Sequence, residues 1–111
     1  MSDAYNGGAF DAVFLRNYLS SLVNRFFKIL PMREANESTL STYMESLMNE
    51  LIGCKQLPTG LGGDAMYLSL LATLQYLIDH QDSSERVFRR EVFKSISICN
   101  HLRSKIGGAE K

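Results

Sequence analysis

The sequence predicts an all-α fold, a four-helix bundle-like single domain. Apolar residues recur at spacings of three and four along four segments, as amphipathic helices require, and no segment shows the alternating pattern of a strand. Hydrophobic residues make up 45% of the 111 residues and charged residues 22%, which is the composition of a folded chain that can bury one core. We expect a flexible N-terminal arm over 1–8 and one helical domain over 9–108.

The first predicted helix begins near Ala9. It is expected to end before Pro31, because a proline drives the residue that precedes it out of the α region. Its inward side holds Phe14, Leu15, Tyr18, Leu19, Leu22, Val23, Phe26, Ile29 and Leu30. We therefore expect this helix to be the main aromatic contributor to the core.

The second helix has the most regular pattern of the four. Its apolar residues are Leu40, Tyr43, Met44, Leu47, Met48, Leu51 and Ile52. Asn36 or Ser38 is expected to cap its first turn by accepting hydrogen bonds from free backbone amides, and Gly53 is expected to end it. The span 37–52 holds three acidic residues and no basic one, so the outer side of this helix is acidic.

The segment 54–63 is predicted to be a loop, because it contains Pro58 and three glycines. Residues 60–65 match G-x-G-x-x-A, the pattern of a dinucleotide-binding turn. Such a turn follows a strand, whereas here a helix precedes it, and Asp64 would place a carboxylate where a phosphate should bind. We interpret the glycines as a connection and Asp64 as the N-cap of the third helix, and we expect no cofactor.

The third helix, over 64–79, carries apolar residues on two opposite sides. The first side holds Met66, Tyr67, Leu70, Leu71, Leu74, Leu77 and Ile78. The second side, which we name the back stripe, holds Ala65, Leu68, Ala72 and Tyr76. The residues left to face water are Ser69, Thr73, Gln75 and Asp79. A helix that is apolar on both sides must be covered twice, because exposure forfeits about 25 cal/mol per Å² of burial, so we expect it to be the central helix.

The back stripe is the predicted protein interface. If the first side packs against the other three helices, the back stripe has no helix of its own chain left to contact. Ala72 is a small residue between Leu68 and Tyr76, so a second copy could approach closely and a two-fold axis would make the surface self-complementary. Burial under a long first helix is the alternative.

The fourth helix is expected to begin after a cap at Ser83 or Ser84 and to end at 107–108. Its inward side holds Phe88, Val92, Ser95, Ile96, Cys99, Leu102 and Ile106. Another side, which we name the basic face, holds Arg90, Lys94, His101 and Lys105. This face could bind an anionic partner, although a solvated outer surface is the simpler interpretation. The formal net charge of zero disfavours nucleic acid, whose phosphates demand a basic excess.

No catalytic residue, cofactor or metal site is predicted. The two histidines lie far apart, with no serine or cysteine motif near either, and no ligand cluster indicates a metal. Cys54 and Cys99 lack CxxC spacing, so we expect two reduced, unpaired thiols. Histidine phosphotransfer domains are bundles of similar size and resemble this chain in outline. A phosphotransfer function would require His101 to accept phosphate. A solvated histidine near a helix C-terminus is the simpler interpretation.

These observations favour a non-enzymatic protein-protein interaction module. We expect a self-associating adaptor, a chaperone or a regulator that sequesters a target protein, with a homodimer and/or another protein as its partner. The alternative is a nucleic-acid-binding regulator that uses the basic face. The sequence has no secretory signal pattern and no apolar run of about 20 residues, so we expect a cytoplasmic protein that does not cross a membrane.

Overall fold

Four α-helices make up the part of the chain that the computed structural model describes. The described residues are 2–54 and 64–108, with side chains described over 13–54 and 64–105. The helices are α1 (Ser2–Glu34), α2 (Leu40–Cys54), α3 (Ala65–Asp79) and α4 (Glu85–Gly108). No strand occurs within the described ranges. The predicted all-α, bundle-like fold is confirmed.

α1 extends beyond both of its predicted limits. It begins at Ser2, inside the segment 1–8 that was predicted to be an arm. It also continues through Pro31 to Glu34, so the prediction that the helix ends before the proline is wrong. Proline removes one backbone donor but leaves its carbonyl available, and Ala35 N donates to Pro31 O over 2.9 Å.

A Schellman motif ends α1. Glu37 N donates to Met32 O over 3.0 Å, and Asn36 N donates to Arg33 O over 2.9 Å. Asn36 has a φ of 57°, a left-handed conformation that asparagine adopts more readily than most residues. The motif satisfies the last carbonyls of α1, and it uses Asn36 to stop this helix, so Asn36 does not cap α2.

α2 begins without either of the predicted caps. Thr39 directly precedes the helix, and its carbonyl accepts the first hydrogen bond, from Tyr43 N over 2.9 Å. Ser38 lies one residue earlier, so the prediction of a cap at Asn36 or Ser38 is wrong. The helix ends at Cys54, one residue beyond the predicted stop at Gly53.

The predicted caps of α3 and α4 are confirmed. Asp64 Oδ1 accepts a hydrogen bond from Met66 N over 2.7 Å, and Ser84 Oγ accepts one from Val87 N over 3.2 Å. These side chains satisfy amide groups that the first turn of a helix leaves free. The glycines of the G-x-G-x-x-A pattern, at 60–63, lie outside the described residues.

The helices pack in the ring order α1, α2, α3, α4, with the most extensive contact between α4 and α1 and the least extensive between α1 and α2. α3 packs mainly against α2 and α4. The prediction that α3 is the central helix is therefore wrong, since it occupies one position of the ring.

Contacts at two levels show that α3 runs antiparallel to α2. Near the start of α3, Tyr67 donates its hydroxyl to Leu51 O over 2.5 Å. Just beyond the end of α3, Gln81 Nε2 donates to Ser41 Oγ over 3.2 Å. The chain turns directly from α3 into α4 between 80 and 84, which sets these two helices antiparallel as well.

All four helices contribute to the core. Its fully buried members include Leu19, Leu22, Phe26 and Ile29 of α1, Met44 and Leu51 of α2, Tyr67, Leu70, Leu74 and Leu77 of α3, and Phe88, Val92 and Cys99 of α4. The largest of them are Tyr67, Phe26 and Phe88, so three helices share the aromatic core. α1 adds Tyr18, which is partly buried against the core, and Phe10, which also belongs to the predicted aromatic set of α1, lies outside the described side chains.

Two aromatic side chains of α1 lie at the surface. Phe14, predicted to face inward, is 53% exposed, and Phe27 is 43% exposed. Tyr18 reaches Cys54, the last residue of α2, with the cysteine Sγ 3.7 Å from the tyrosine hydroxyl. Phe14 lies one helical turn before Tyr18 in α1 and stacks on it, with ring centroids 6.3 Å apart.

One polar residue of α3 is buried against expectation. Thr73 was predicted to face water, but it is buried. Its hydroxyl donates to Ser69 O over 2.8 Å. A threonine can be buried in a helix in this way because its hydroxyl bonds to the preceding turn of the backbone.

Candidate protein interface

The back stripe lies on the outer surface of α3. Ala65, Leu68 and Ala72 are exposed, with Leu68 at 44%, and Tyr76 is half-buried. The opposite side of the helix faces the core through residues such as Leu70 and Leu74. The alternative in which α1 covers the back stripe is wrong, because α2 and α4 flank α3 and leave its outer side open.

Tyr76 presents a fixed aromatic surface at one end of the back stripe. Its ring stacks on His80, with centroids 4.1 Å apart and planes inclined by 18°. His80 also caps the end of α3, because its backbone N–H donates to Tyr76 O over 2.9 Å. The histidine therefore holds the tyrosine ring in one orientation, and a rigid aromatic group loses little entropy when a partner covers it.

An acidic and apolar edge borders the back stripe on the α2 side. We name Ser41, Glu45 and Ile52 the α2 edge, since their spacing places them on one side of the helix. The hydrogen bond between Gln81 and Ser41 sets this side next to α3. Ile52 is 42% exposed. Glu45 is exposed, and its nearest hydrogen-bond partner is the Ser41 hydroxyl at 3.5 Å.

The basic face borders the back stripe on the α4 side, and all four of its side chains are exposed. Lys105 Nζ lies 2.6 Å from Asp64 Oδ2, which places this face beside the start of α3. Arg90 Nε lies 3.3 Å from Glu91 Oε2. Lys94 has no acidic partner among the described side chains. Two of the four predicted anion-binding residues are thus already paired with carboxylates.

Asp64 joins α3 to α4 as well as capping α3. The hydrogen bond from Lys105 holds the pKa of the Asp64 carboxyl below its usual value, although partial burial opposes this shift. Because the folded-state pKa is lowered, the charged carboxylate stabilises the fold above the usual carboxyl pKa. That contribution is lost as the pH falls through the lowered value.

Asp64→Ala is expected to lower the free energy of unfolding by about 1 kcal/mol at neutral pH, since the amide of Met66 loses its capping partner. Asp64→Asn keeps a capping oxygen but loses the charge that attracts Lys105, so it is expected to cost less. Urea denaturation at several pH values measures both. The loss at Asp64→Ala should shrink as the pH falls below about 4, and a loss that stays constant there would contradict the assigned role.

A polar cluster spans the seam between α1 and α2. Arg25 binds Glu50 through two hydrogen bonds of 2.6 and 2.9 Å. Tyr18 donates its hydroxyl to the same carboxylate, and Tyr43 donates to Arg25 O over 3.0 Å. These long side chains bridge the two helices that have the least extensive contact in the ring.

The pKa shifts in this cluster follow from the same contacts. The hydrogen bonds from Arg25 lower the pKa of the Glu50 carboxyl. Burial, and then donation to Glu50, raise the pKa of the Tyr18 phenol. Each shift favours the pairing that is observed, with a charged carboxylate and a neutral phenol. The cluster therefore has a structural role in joining α1 to α2.

A cleft of about 620 Å³ lies at the end of the bundle where α1 meets the α3–α4 connection. Arg33 lies against it and donates to Gln81 O over 3.2 Å and to Ser83 O. The guanidinium also lies 4.4 Å from the centre of the Phe88 ring. These contacts bind the last turn of α1 to the connection, which explains why the helix persists beyond Pro31.

A second apolar surface lies between α1 and α4. Phe27 and Phe93 are exposed and contact each other edge to face, with ring centroids 5.7 Å apart. Arg89 lies 5.6 Å from the centre of the Phe93 ring. We name Phe27 and Phe93 the aromatic pair. Sequence reasoning missed it, although each phenylalanine directly follows a core residue, from which it is rotated by about 100° around the helix axis.

His101 is exposed near the end of α4. Among the described residues, no group of histidine, cysteine and acidic side chains could hold a metal ion. No helix in the described ranges is long and apolar enough to cross a membrane. Comparison of the chain with protein-family models, curated proteins and solved structures finds no match.

Proposed function

We propose that this protein is a non-enzymatic protein-protein interaction module that associates with a second copy of itself through the back stripe. The observation that carries the proposal is the exposure of Leu68, at 44%, between two exposed alanines on a helix whose other side fills the core. Covering such a side chain gains about 25 cal/mol per Å² of apolar surface. A self-associating adaptor, a chaperone and a regulator that sequesters a target protein all use a surface of this kind.

The cytoplasm is the proposed site of action. Cys54 and Cys99 are both free thiols, which is the state that cytoplasmic reductants maintain. Membrane association is not part of the proposal.

Nucleic-acid binding through the basic face is the weaker alternative. The pairing of Arg90 with Glu91 and of Lys105 with Asp64 leaves fewer cations for phosphates. Binding to phosphates would weaken steeply as the salt concentration rises. A filter-binding assay at two salt concentrations therefore separates the two functions.

Leu68→Glu combined with Tyr76→Glu is expected to weaken self-association at least ~100-fold, because each change buries an unpaired charge in the interface. Both positions are at least partly exposed in the single chain, so the variant should keep its helical circular dichroism. Sedimentation velocity over a series of micromolar concentrations measures the association.

The matched control places two glutamates in the aromatic pair, by Phe27→Glu with Phe93→Glu. These positions have similar exposure to Leu68 but lie on the seam between α1 and α4. The control should remain associated. A parent protein that sediments as a monomer throughout, or a control that dissociates while the back-stripe variant does not, would refute the proposed function.

A further inference from the structure

The back stripe alone is too small for a stable dimer. From Ala65 to Tyr76 the helix rises about 16 Å, and a helix with its side chains is about 10 Å wide. This face offers at most a few hundred Å² on each chain, whereas a specific interface needs about 800 Å² from each partner. A second copy must therefore also contact the surfaces on either side, which are the α2 edge and the basic face.

Each of these two flanking surfaces carries one charge that forms no ion pair among the described side chains, and the two charges are of opposite sign. Glu45 on the α2 edge forms no ion pair, and Lys94 on the basic face forms none, within the described residues. The α2 edge also offers exposed Ile52. A two-fold axis through the back stripe can either bring each edge against the opposite edge of the other copy or bring like edges together.

We propose that the second copy binds with its α3 parallel to this one, so that Lys94 contacts Glu45 of the partner subunit. A two-fold axis parallel to α3 places the α4 side of one copy opposite the α2 side of the other. It also keeps each residue at the same height along the bundle, so the basic face of one copy lies against the α2 edge of its partner. An axis across α3 would instead set the two basic faces against each other, and like charges oppose association. The inference rests on the proposed self-association and adds its geometry.

The levels of the two charges along the bundle agree with this arrangement. Lys105 contacts Asp64 at the start of α3, and α4 rises about 16 Å from there to Lys94 at about 1.5 Å per residue. On the other side, Leu51 contacts Tyr67. Tyr67 lies three residues after Asp64 in α3, and Glu45 lies six residues before Leu51 in the antiparallel α2. At the same rise per residue, Glu45 therefore lies about 13 Å above Asp64. The remaining difference of about 3 Å is within the reach of a lysine side chain.

The order of residues in the back stripe fits the same axis. With parallel helices, Ala72 lies beside its own equivalent, where its small side chain permits close approach. Leu68 and Tyr76 lie one turn to either side of it. Apolar and aromatic groups then meet their own equivalents above and below the closest point.

Charge reversal tests the geometry. Lys94→Glu and Glu45→Lys are each expected to weaken the dimer ~10-fold, since each change turns two symmetry-related attractions into repulsions. The double variant restores opposite charges and should dimerise within about threefold of the parent. Sedimentation equilibrium at low salt measures each dissociation constant, and the effects of the single variants should shrink at high salt.

Lys28→Glu is the matched control, because this exposed lysine lies on the seam between α1 and α2, remote from α3. Its Nζ is 5.8 Å from the centre of the Tyr43 ring. The substitution changes the net charge by the same amount and sign as Lys94→Glu and should leave the dimer unchanged. Tighter dimerisation of either single variant, or no recovery in the double variant, would overturn the parallel arrangement while leaving self-association intact. A monomeric parent would overturn the proposed function and this inference with it.

Discussion

Phe26→Ala is expected to lower the free energy of unfolding by about 3–5 kcal/mol, because it removes a fully buried ring from the centre of the core. The loss combines the burial of the ring with the cavity left behind, and it is a large part of the 5–15 kcal/mol that stabilises a typical domain. Urea denaturation followed by circular dichroism measures it. Protein concentration must be held constant, since self-association would add to the apparent stability.

Phe27→Ala is the matched control, with the same chemical change one residue away. Phe27 is 43% exposed and contacts Phe93 at its edge. Its replacement is expected to cost about 1–2 kcal/mol, because the ring is already partly exposed in the folded chain and its removal leaves no enclosed cavity. Equal losses at the two positions would mean that the orientation of α1 differs from the one described.

The sequence predicts the helices well because periodicity is a local property. A spacing of three and four residues identifies the inward side of each helix whatever its neighbours are, and most side chains of α2 and α3 follow it, with Ile52 and Thr73 as exceptions. The caps at Asp64 and Ser84 are predictable for the same reason, since each depends on a side chain and an amide two or three residues away.

The errors arise where distant contacts decide the outcome. Pro31 fails to end α1 because Arg33, two residues later, binds carbonyls of the α3–α4 connection. Phe14 is exposed and stacks on Tyr18 of its own helix. The position of Gln81 beside α1 and the surroundings of Phe14 both depend on residues distant in sequence, so the local pattern does not encode them.

One part of the candidate interface can be predicted from the local sequence pattern, and the other part depends on how the helices pack. The exposure of Leu68 follows from two apolar sides on one helix, which the pattern of α3 reveals. The proposed pairing of Lys94 with Glu45 of the partner subunit does not follow from that pattern, because it depends on which helices flank α3 in the ring. The contacts of Lys105 with Asp64 and of Ser41 with Gln81 supply that information.

Cys99 is expected to react with a thiol reagent at least ~1000-fold more slowly than Cys54. The thiolate is the reactive form, and burial raises the pKa of the Cys99 thiol to about 12, against an ordinary value of about 8.5. Cys99 is also fully buried, whereas Cys54 is half-buried at the end of α2. The single variants Cys54→Ser and Cys99→Ser allow each thiol to be followed separately by absorbance near pH 8.

Urea provides the internal control for this comparison. If Cys99 reacts only when α4 separates from the core, its rate should rise steeply with urea and approach that of Cys54 once the chain unfolds. Because both thiols are free, the melting temperature should not change when a reductant is added. Similar rates for the two cysteines without urea would show that the core around α4 opens readily, and would contradict the tight burial of Cys99 between α4 and its neighbours.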